Sequence, residues 1–411
     1  MSDDPVRDQY EAYPYPGRNP ADEGQRLITG SPSYLDELNH YVFAGGRDFA
    51  QPFRALVAGG GTGDGAIMLA QQLSDRGPGE VVYIDLAEQA RFTAEARAAF
   101  RGLNNIRFER LAIEDLADAG LGTFDYIDCC GVLHHLADPA AGLAALGRVL
   151  ADDGGMGMML YGTLGRTGVY PMQAMLRAMA GEGGAADRVA RARRLLAVLP
   201  ETNWLRRNDY LGDHLGGDDA GLFDLLLHDR DRAYEVTEIA ALVERGGFAL
   251  TAFVEPARYD PESYIDDEEI RGWVGALPWI ERCAFAERLA GNMRKHVFYA
   301  VKAGNPGPTV ADPSDPAAAL VLRDMGGPAF ADKLPPGAAL TATIDGFTFH
   351  FPLPPLTKRM SPLFNGRRSM AEIRDALGDV DDASFTAQFN ALYRALNGLN
   401  KLYLRNPGRS G

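Results

Sequence analysis

Nowhere does this chain hold the uninterrupted apolar run of about eighteen residues that a membrane-crossing helix needs. Its opening stretch is polar and acidic, without the basic-then-apolar layout of a secretory leader, so a soluble cytoplasmic protein with no membrane partner is expected. Cysteine is scarce: there are three, and Cys129 and Cys130 are adjacent, which suits neither a disulfide framework nor a zinc cluster. No metal ligand set is expected. Positive charge is short as well, with 41 Lys+Arg against 56 Asp+Glu and a net charge of −15, which disfavours nucleic-acid backbones and anionic lipid. The deficit is uneven. Residues 319–411 carry 11 basic against 8 acidic side chains, so the first 318 hold 30 against 48 and bear the whole excess.

What is present is ample apolar material, 46% of 411 residues, enough for a sizeable core and more than one domain. The apolar run Ala55-Leu-Val-Ala58 leads straight into Gly59-Gly-Gly-Thr-Gly-Asp-Gly65 and then a helical pattern. Glycines at such a strand-to-helix turn let the backbone bend sharply and approach a ligand, and the helix start offers unpaired N–H groups to it. Twenty residues further on, Val81-Val-Tyr-Ile84 ends in Asp85, an acid placed to hold ribose hydroxyls. The loop alone also satisfies the relaxed dinucleotide fingerprint, so a nicotinamide enzyme stays open at this point.

A third element follows. Phe124-Asp-Tyr-Ile-Asp-Cys-Cys130 reads as a buried strand opening into Gly131-Val-Leu-His-His-Leu136. With Gly59, Gly61, Gly63, Asp85, Phe124-Asp125 and Val132–Leu136 in this order, the chain resembles class I methyltransferases that use S-adenosylmethionine. The resemblance covers residues 50–165 well and extends weakly to 303. It implies an α/β fold, a doubly wound, mostly parallel seven-stranded Rossmann-like sheet, with S-adenosylmethionine as the cofactor and an unidentified small molecule or protein group as methyl acceptor. It further implies that Gly59, Gly61 and Gly63 cradle the methionine portion, that Asp85 with Leu86 takes the ribose, that Glu114 or Asp115 meets the adenine, and that Gly131 lies under the reacting centre. Two departures stand out: Val57 and Ala58 occupy the place where relatives often carry an acid, and the third strand ends without the usual adenine-binding carboxylate.

Strand and helix patterns alternate from about 54 to 162, with strands expected at Ala55–Ala58, Val81–Ile84, Ile106–Glu109, Tyr126–Cys130 and Gly157–Leu160. Helical patterning over about 171–230 reads as an insertion capping the substrate side. Sheet patterning returns at Phe248–Val254 and His296–Val301, expected as an antiparallel edge. A Pro/Gly-rich stretch places a linker at 304–318. The expected units are an N-terminal arm over 1–48, a methyltransferase domain over 49–303, and a small winged-helix-like α+β module over 319–405. In that module a hairpin turns at Asp345-Gly346, and helices follow at Pro355–Leu363, Ser369–Leu377 and Ala383–Leu402, the second with Ser369 and Glu372 in capping-box spacing.

His134 and His135 titrate near neutrality, which makes either a candidate general base. Tyr10, Tyr13 and Tyr15, pinned by prolines, form a candidate lid whose rings could meet a sulfonium by cation–π attraction. Tyr161, Asp219 and His228 are candidate acceptor contacts on the fifth strand and the insertion. The C-terminal module weakly resembles the PqqD type, which implies a peptide or protein partner; a dimer-forming role is the simpler expectation, and nucleic acid is disfavoured by its charge of only +3. Two alternatives to a methyltransferase remain: an NAD(P)-dependent oxidoreductase, and a non-catalytic cofactor-binding scaffold whose C-terminal module engages a partner.

Overall fold

The computed structural model describes residues 11, 13–179, 184–216, 219–335 and 337–406. The chain begins with an arm, a 3-10 turn at Pro20–Gly24, and helix α1 (Leu35–Val42), then builds β1 (Phe53–Ala58), α2 (Asp64–Arg76), β2 (Gly79–Asp85), α3 (Glu88–Arg101), β3 (Ile106–Arg110), β4 (Phe124–Cys130), α4 (Pro139–Val149) and β5 (Leu150–Tyr161). A helical block of α5 (Val169–Ala178), α6 (Ala185–Ala197) and α7 (Asp219–Leu226) comes next, followed by α8 (Val236–Arg245), β6 (Phe248–Phe253), α9 (Glu268–Gly275), α10 (Trp279–Ala290) and β7 (Lys295–Lys302).

The seven strands form one sheet in the order β3-β2-β1-β4-β5-β7-β6. β6 and β7 pair antiparallel at the end of the sheet, the antiparallel edge that the sequence suggested, and β7 is the reversed strand, slotted between β5 and β6. β5 begins seven residues before Gly157. Asp152, Asp153 and Gly154 disguise its start, and the pairing with β4 is irregular there.

Local chemistry explains the helices. α3 buries Ala90, Ala94 and Ala98 on one face and stops at Gly102, whose φ of 68° suits a left-handed cap. α4 starts where Asp138 accepts the N–H groups of Ala140 and Ala141 and Pro139 fills the first turn. One face of the sheet packs Leu56, Val82, Ile84, Ile127 and Met158 against α4, α8 and α10; the other packs Val57, Tyr83, Tyr126 and Tyr299 against α1 and α2. Each fully buried Val, Leu or Ile contributes about 1.5–3 kcal/mol, so the two layers hold the sheet from both sides. The helical block has its own small core around Met172, Leu222, Phe223 and Leu226.

The C-terminal part comprises β8 (Ala319–Leu322), α11 (Gly327–Asp332), the hairpin β9 (Ala339–Ile344) and β10 (Phe347–Pro352), α12 (Thr357–Met360), α13 (Met370–Ala376), α14 (Asp382–Gly398) and β11 (Leu402–Arg405). The hairpin turns at Asp345-Gly346 and α13 carries the Ser369/Glu372 capping box, as expected. Two features differ. Leu402 opens a strand instead of ending a helix, because the chain turns at Asn400 with φ of 56° and β11 pairs antiparallel with β8. The helix expected at Pro355–Leu363 is a short α turn that passes into a 3-10 turn at Ser361–Leu363, where Pro362 sits.

This part is fastened to α1 by buried polar bonds. The Glu37 carboxylate accepts from Tyr403, Asn400, Ser31 and Tyr299, and His40 Nδ1 accepts the Leu404 N–H at 3.1 Å. At the hairpin tip, Asp345 pairs with Arg258 at 2.6 Å and Arg294 at 2.9 Å.

Candidate active site

The glycine turn follows β1 at its carboxyl end, and the acid ending β2 reaches across to it: the Gly61 N–H donates to Asp85 Oδ2 at 2.8 Å, and the Ala87 N–H donates to Oδ1 at 2.8 Å. Gly59 has no room for a side chain, since a Cβ would fall 2.5 Å from Val132 on the loop after β4. Gly61, at φ of 51°, is different: among the described residues a Cβ there would meet nothing nearer than the Tyr15 carbonyl at 3.6 Å, so these residues leave a concave backbone face open. The structure therefore fits an adenosine cofactor at this turn, with a carboxylate held by backbone amides beside an open cradle. Burial pushes the Asp85 carboxyl up, against the pull of those amides, and nearby Glu11 adds to the rise.

The arm roofs this turn. The Pro16 carbonyl accepts from Thr62 Oγ1 at 2.9 Å, and Arg18 holds Asp64 at 2.9 and 2.6 Å. Asp64 also binds Arg97, whose buried guanidinium reaches Glu23. Tyr13 stacks on Phe223 of α7, with ring centroids 5.2 Å apart. Tyr15 lies over Gly61, while Tyr10 falls outside the described residues.

Beyond the ends of β4 and β5 lies a buried polar cluster under the helical block. His135 and His228 stack with centroids 3.8 Å apart, and His134 lies 4.1 Å from both His135 and Tyr161. Tyr161 donates its hydroxyl to Asp224 Oδ2 at 3.0 Å. The backbone of one residue, Arg230, sets both stacked rings. His135 Nδ1 lies 2.8 Å from the Arg230 carbonyl, which only accepts, so this nitrogen carries the proton and Nε2 keeps its lone pair. His228 Nδ1 accepts the Arg230 N–H at 3.1 Å, so in the neutral ring Nε2 carries the proton.

Burial drives His134 well below its ordinary value and His228 down to about 2, with the neighbouring His135 and Arg166 adding to both. Both ring nitrogens of His134 are buried without a hydrogen-bond partner among the described residues. Such a ring stays neutral and makes a poor proton acceptor.

His135, Asp224 and His228 also bring three ligand-type atoms within 4.8 Å of one another, a grouping the sequence spacing did not lead us to expect. A cation on His228 Nε2 would require a proton on Nδ1, facing the Arg230 N–H that this atom now accepts. In this arrangement the cluster is a hydrogen-bonded assembly.

The other expected positions divide. Gly131, at φ of 80°, donates its N–H to the Met159 carbonyl and leads into the histidine loop; Leu86 accepts from Arg110 beside Asp85. Glu114 and Asp115 are exposed on the 3-10 turn after β3. Asp219 is not drawn into the cluster, because it pairs with Arg193 at the surface of the helical block. Sequence reasoning overlooked Glu11, Arg166, Asp231 and the Arg230 peptide, since nothing in their local patterns marks them. Two surface recesses, of about 390 Å³ beside Asp138 and Arg232 and about 710 Å³ beside Arg148 and Lys302, include neither the glycine turn nor the histidines. The second lies at the opposite end of the sheet, so the chemistry and not the cavity size locates the site.

Residues 56–156 match the family model described as a methyltransferase domain. The chain is 32% identical over 262 residues to an uncharacterized protein from Synechococcus sp., covering 62% of this chain and 60% of that protein. It is 35% identical over 104 residues to a ubiquinone biosynthesis O-methyltransferase from Neisseria meningitidis serogroup A, covering 25% of this chain and 42% of that one. The chain thus spans less than two thirds of the length of either relative. Among solved structures, PKMT2 from Rickettsia typhi superposes with a TM-score of 0.64 at 14% identity, covering 92% of this chain and 76% of that chain. The same protein in complex with AdoHcy gives 0.62 at 14% identity, covering 93% and 77%. At that identity the likeness establishes a shared fold.

Proposed function

We propose that this chain, a class I S-adenosylmethionine-dependent methyltransferase by its fold and by the domain match over residues 56–156, transfers a methyl group to an acceptor bound between the ends of β4 and β5 and the helical block. The observation that carries the proposal is the bond between Gly61 and Asp85, which joins glycine turn and ribose acid into one nucleoside-binding surface. The cofactor supplies an already activated methyl on a sulfonium. The protein has to hold the acceptor atom in line, keep water out and remove a proton where the acceptor is a hydroxyl.

Within this proposal Gly59, Gly61 and Gly63 hold the methionine end, Asp85 and Leu86 the ribose, Glu114 or Asp115 the adenine, and Gly131 borders the reacting centre. His135 is the proton acceptor, supported by a tautomer that leaves its Nε2 lone pair within the cluster; His134 shapes the wall. Tyr161 and His228 face the acceptor, and Tyr13 and Tyr15 close the roof. Asp219 is left without a part. The proposal extends to a cytoplasmic enzyme, supported by three free cysteines and by the absence, among the described residues, of a helix long and apolar enough to cross a membrane. The C-terminal module is assigned to partner or second-copy contact, supported by its firm attachment to α1, which fixes its place on the chain.

Titration calorimetry with AdoHcy, followed by labelled-methyl transfer into cell extract, tests this. Tight binding that Asp85→Ala abolishes is expected. No heat with the wild-type protein, or binding of a reduced nicotinamide dinucleotide in its place, would overturn it.

A further inference from the structure

Three consecutive amides at the start of α3 are taken, and not by the helix itself. The Ala87 N–H goes to Asp85, while the Glu88 N–H donates to Glu11 Oε1 at 2.6 Å and the Gln89 N–H to Glu11 Oε2 at 3.2 Å. Three consecutive backbone donors thus hold two carboxylates side by side, one from the end of β2 and one from the arm 77 residues away in sequence. A helix start of this kind favours anions, and in dinucleotide-binding sheets the ground just past the ribose acid is where a ribose phosphate is accommodated. Here that ground is filled with negative charge. Glu11 also stands close enough to raise the Asp85 carboxyl.

We propose that Glu11 is a specificity-determining residue of the cofactor site, reserving its ribose end for an adenosine with free hydroxyls and turning away nucleotides phosphorylated there. The inference rests on the nucleoside site proposed above and adds how that site rejects the phosphorylated dinucleotides that share the fold. A ribose hydroxyl donates to a carboxylate, whereas a phosphate brings two further negative charges against Glu11 and Asp85 and finds the α3 amides occupied. The arm therefore does more than cover the pocket: its first described residue supplies part of the discrimination.

A plain helix cap would also satisfy those amides, and the test separates the two roles. Binding of AdoHcy and of adenosine 2′-monophosphate is measured by calorimetry for the wild-type chain, Glu11→Gln and Glu11→Ala, with thermal melting alongside. Both variants are expected to narrow the preference for AdoHcy over the 2′-phosphate by about tenfold or more, with the phosphate gaining and AdoHcy losing affinity. If the variants melt lower yet keep the wild-type preference, Glu11 is a cap and the proposal falls alone. If wild-type protein ignores AdoHcy altogether, the proposal falls together with the nucleoside site.

Discussion

Arg166 and Asp231 form an ion pair at 2.6 Å whose side chains are 4% and 0% exposed, and the Tyr161 ring rests 3.8 Å from the same guanidinium. Gln173 shares the Asp231 carboxylate at 3.0 Å and binds the Leu225 carbonyl, so the pair pins β5, α5 and the chain after α7 together. The helical block is anchored by buried charge directly behind the histidine cluster.

Removing one partner leaves the other buried and uncompensated. Arg166→Ala is expected to cost about 3–5 kcal/mol, read as a lower urea midpoint. Replacing both, Arg166→Met with Asp231→Leu, should recover most of that loss. A single variant as stable as the wild type would show that the pair is solvated in practice.

The two neighbouring histidines should behave differently. His135→Ala is expected to lower methyl transfer to a hydroxyl acceptor by roughly 10²–10⁴-fold while leaving AdoHcy affinity intact. His134→Leu, which exchanges an unpartnered neutral ring for an apolar side chain, should hold the rate within about tenfold. Equal losses in both would remove the distinction that the Arg230 peptide makes.

Asp128 sits inside β4, 2% exposed, accepting from Ser33 Oγ at 2.5 Å, and burial pushes its carboxyl up to about 6. The folded value lies above the unfolded one of 3.8, so the folded chain holds the proton more tightly. Stability from this group is gained as pH falls from about 6 toward about 4 and is missing at neutral pH. Asp128→Asn should therefore raise the melting temperature at pH 7.5 and leave it nearly unchanged at pH 4. A uniform shift at both pH values would count against the linkage.

His40 works in the opposite direction. Burial holds it down to about 3, and protonating Nδ1 would set it against the Leu404 N–H that it accepts. Its contribution is complete above the ordinary value of 6.5 and drains away as pH falls from there toward about 3. Amide exchange in β11 is expected to accelerate below pH 6 ahead of exchange in β1, and His40→Gln should blunt that pH dependence. Uniform acceleration in both strands would argue against a local origin.

Asp345 at the hairpin tip is 8% exposed at its side chain and binds two arginines. Asp345→Ala should cost about 1.5–3 kcal/mol locally by leaving the buried Arg258 with Glu255 as its remaining carboxylate partner. Limited proteolysis should then cut the hairpin sooner than in the wild-type chain, whereas an unchanged cleavage rate would assign the docking to the Phe347 and Phe349 rings packed on Tyr264.

Much of this protein was legible in one dimension because its signals are local. The glycine turn, Asp85, the alanine face of α3 and the Asp345-Gly346 hairpin each depend on residues a few positions apart, with periodicity or backbone conformation as the cause. The start of β5 and the strand β11 were hidden for the converse reason: Asp152, Asp153 and Gly154 do not look like a strand, and β11 exists because β8, 80 residues earlier, offers an edge.

The candidate site divides along the same line. His134 and His135 are adjacent and chemically alike, and no pattern in the chain could rank them. Their difference comes from the Arg230 peptide, which fixes one tautomer, and from burial, which silences the other ring. Glu11 is likewise an ordinary acid near a terminus until folding carries it to the start of α3. Which backbone conformations are allowed, and which strands can exist, follow from neighbouring residues; which proton each polar group holds follows from the distant groups packed against it, and those meet only in three dimensions.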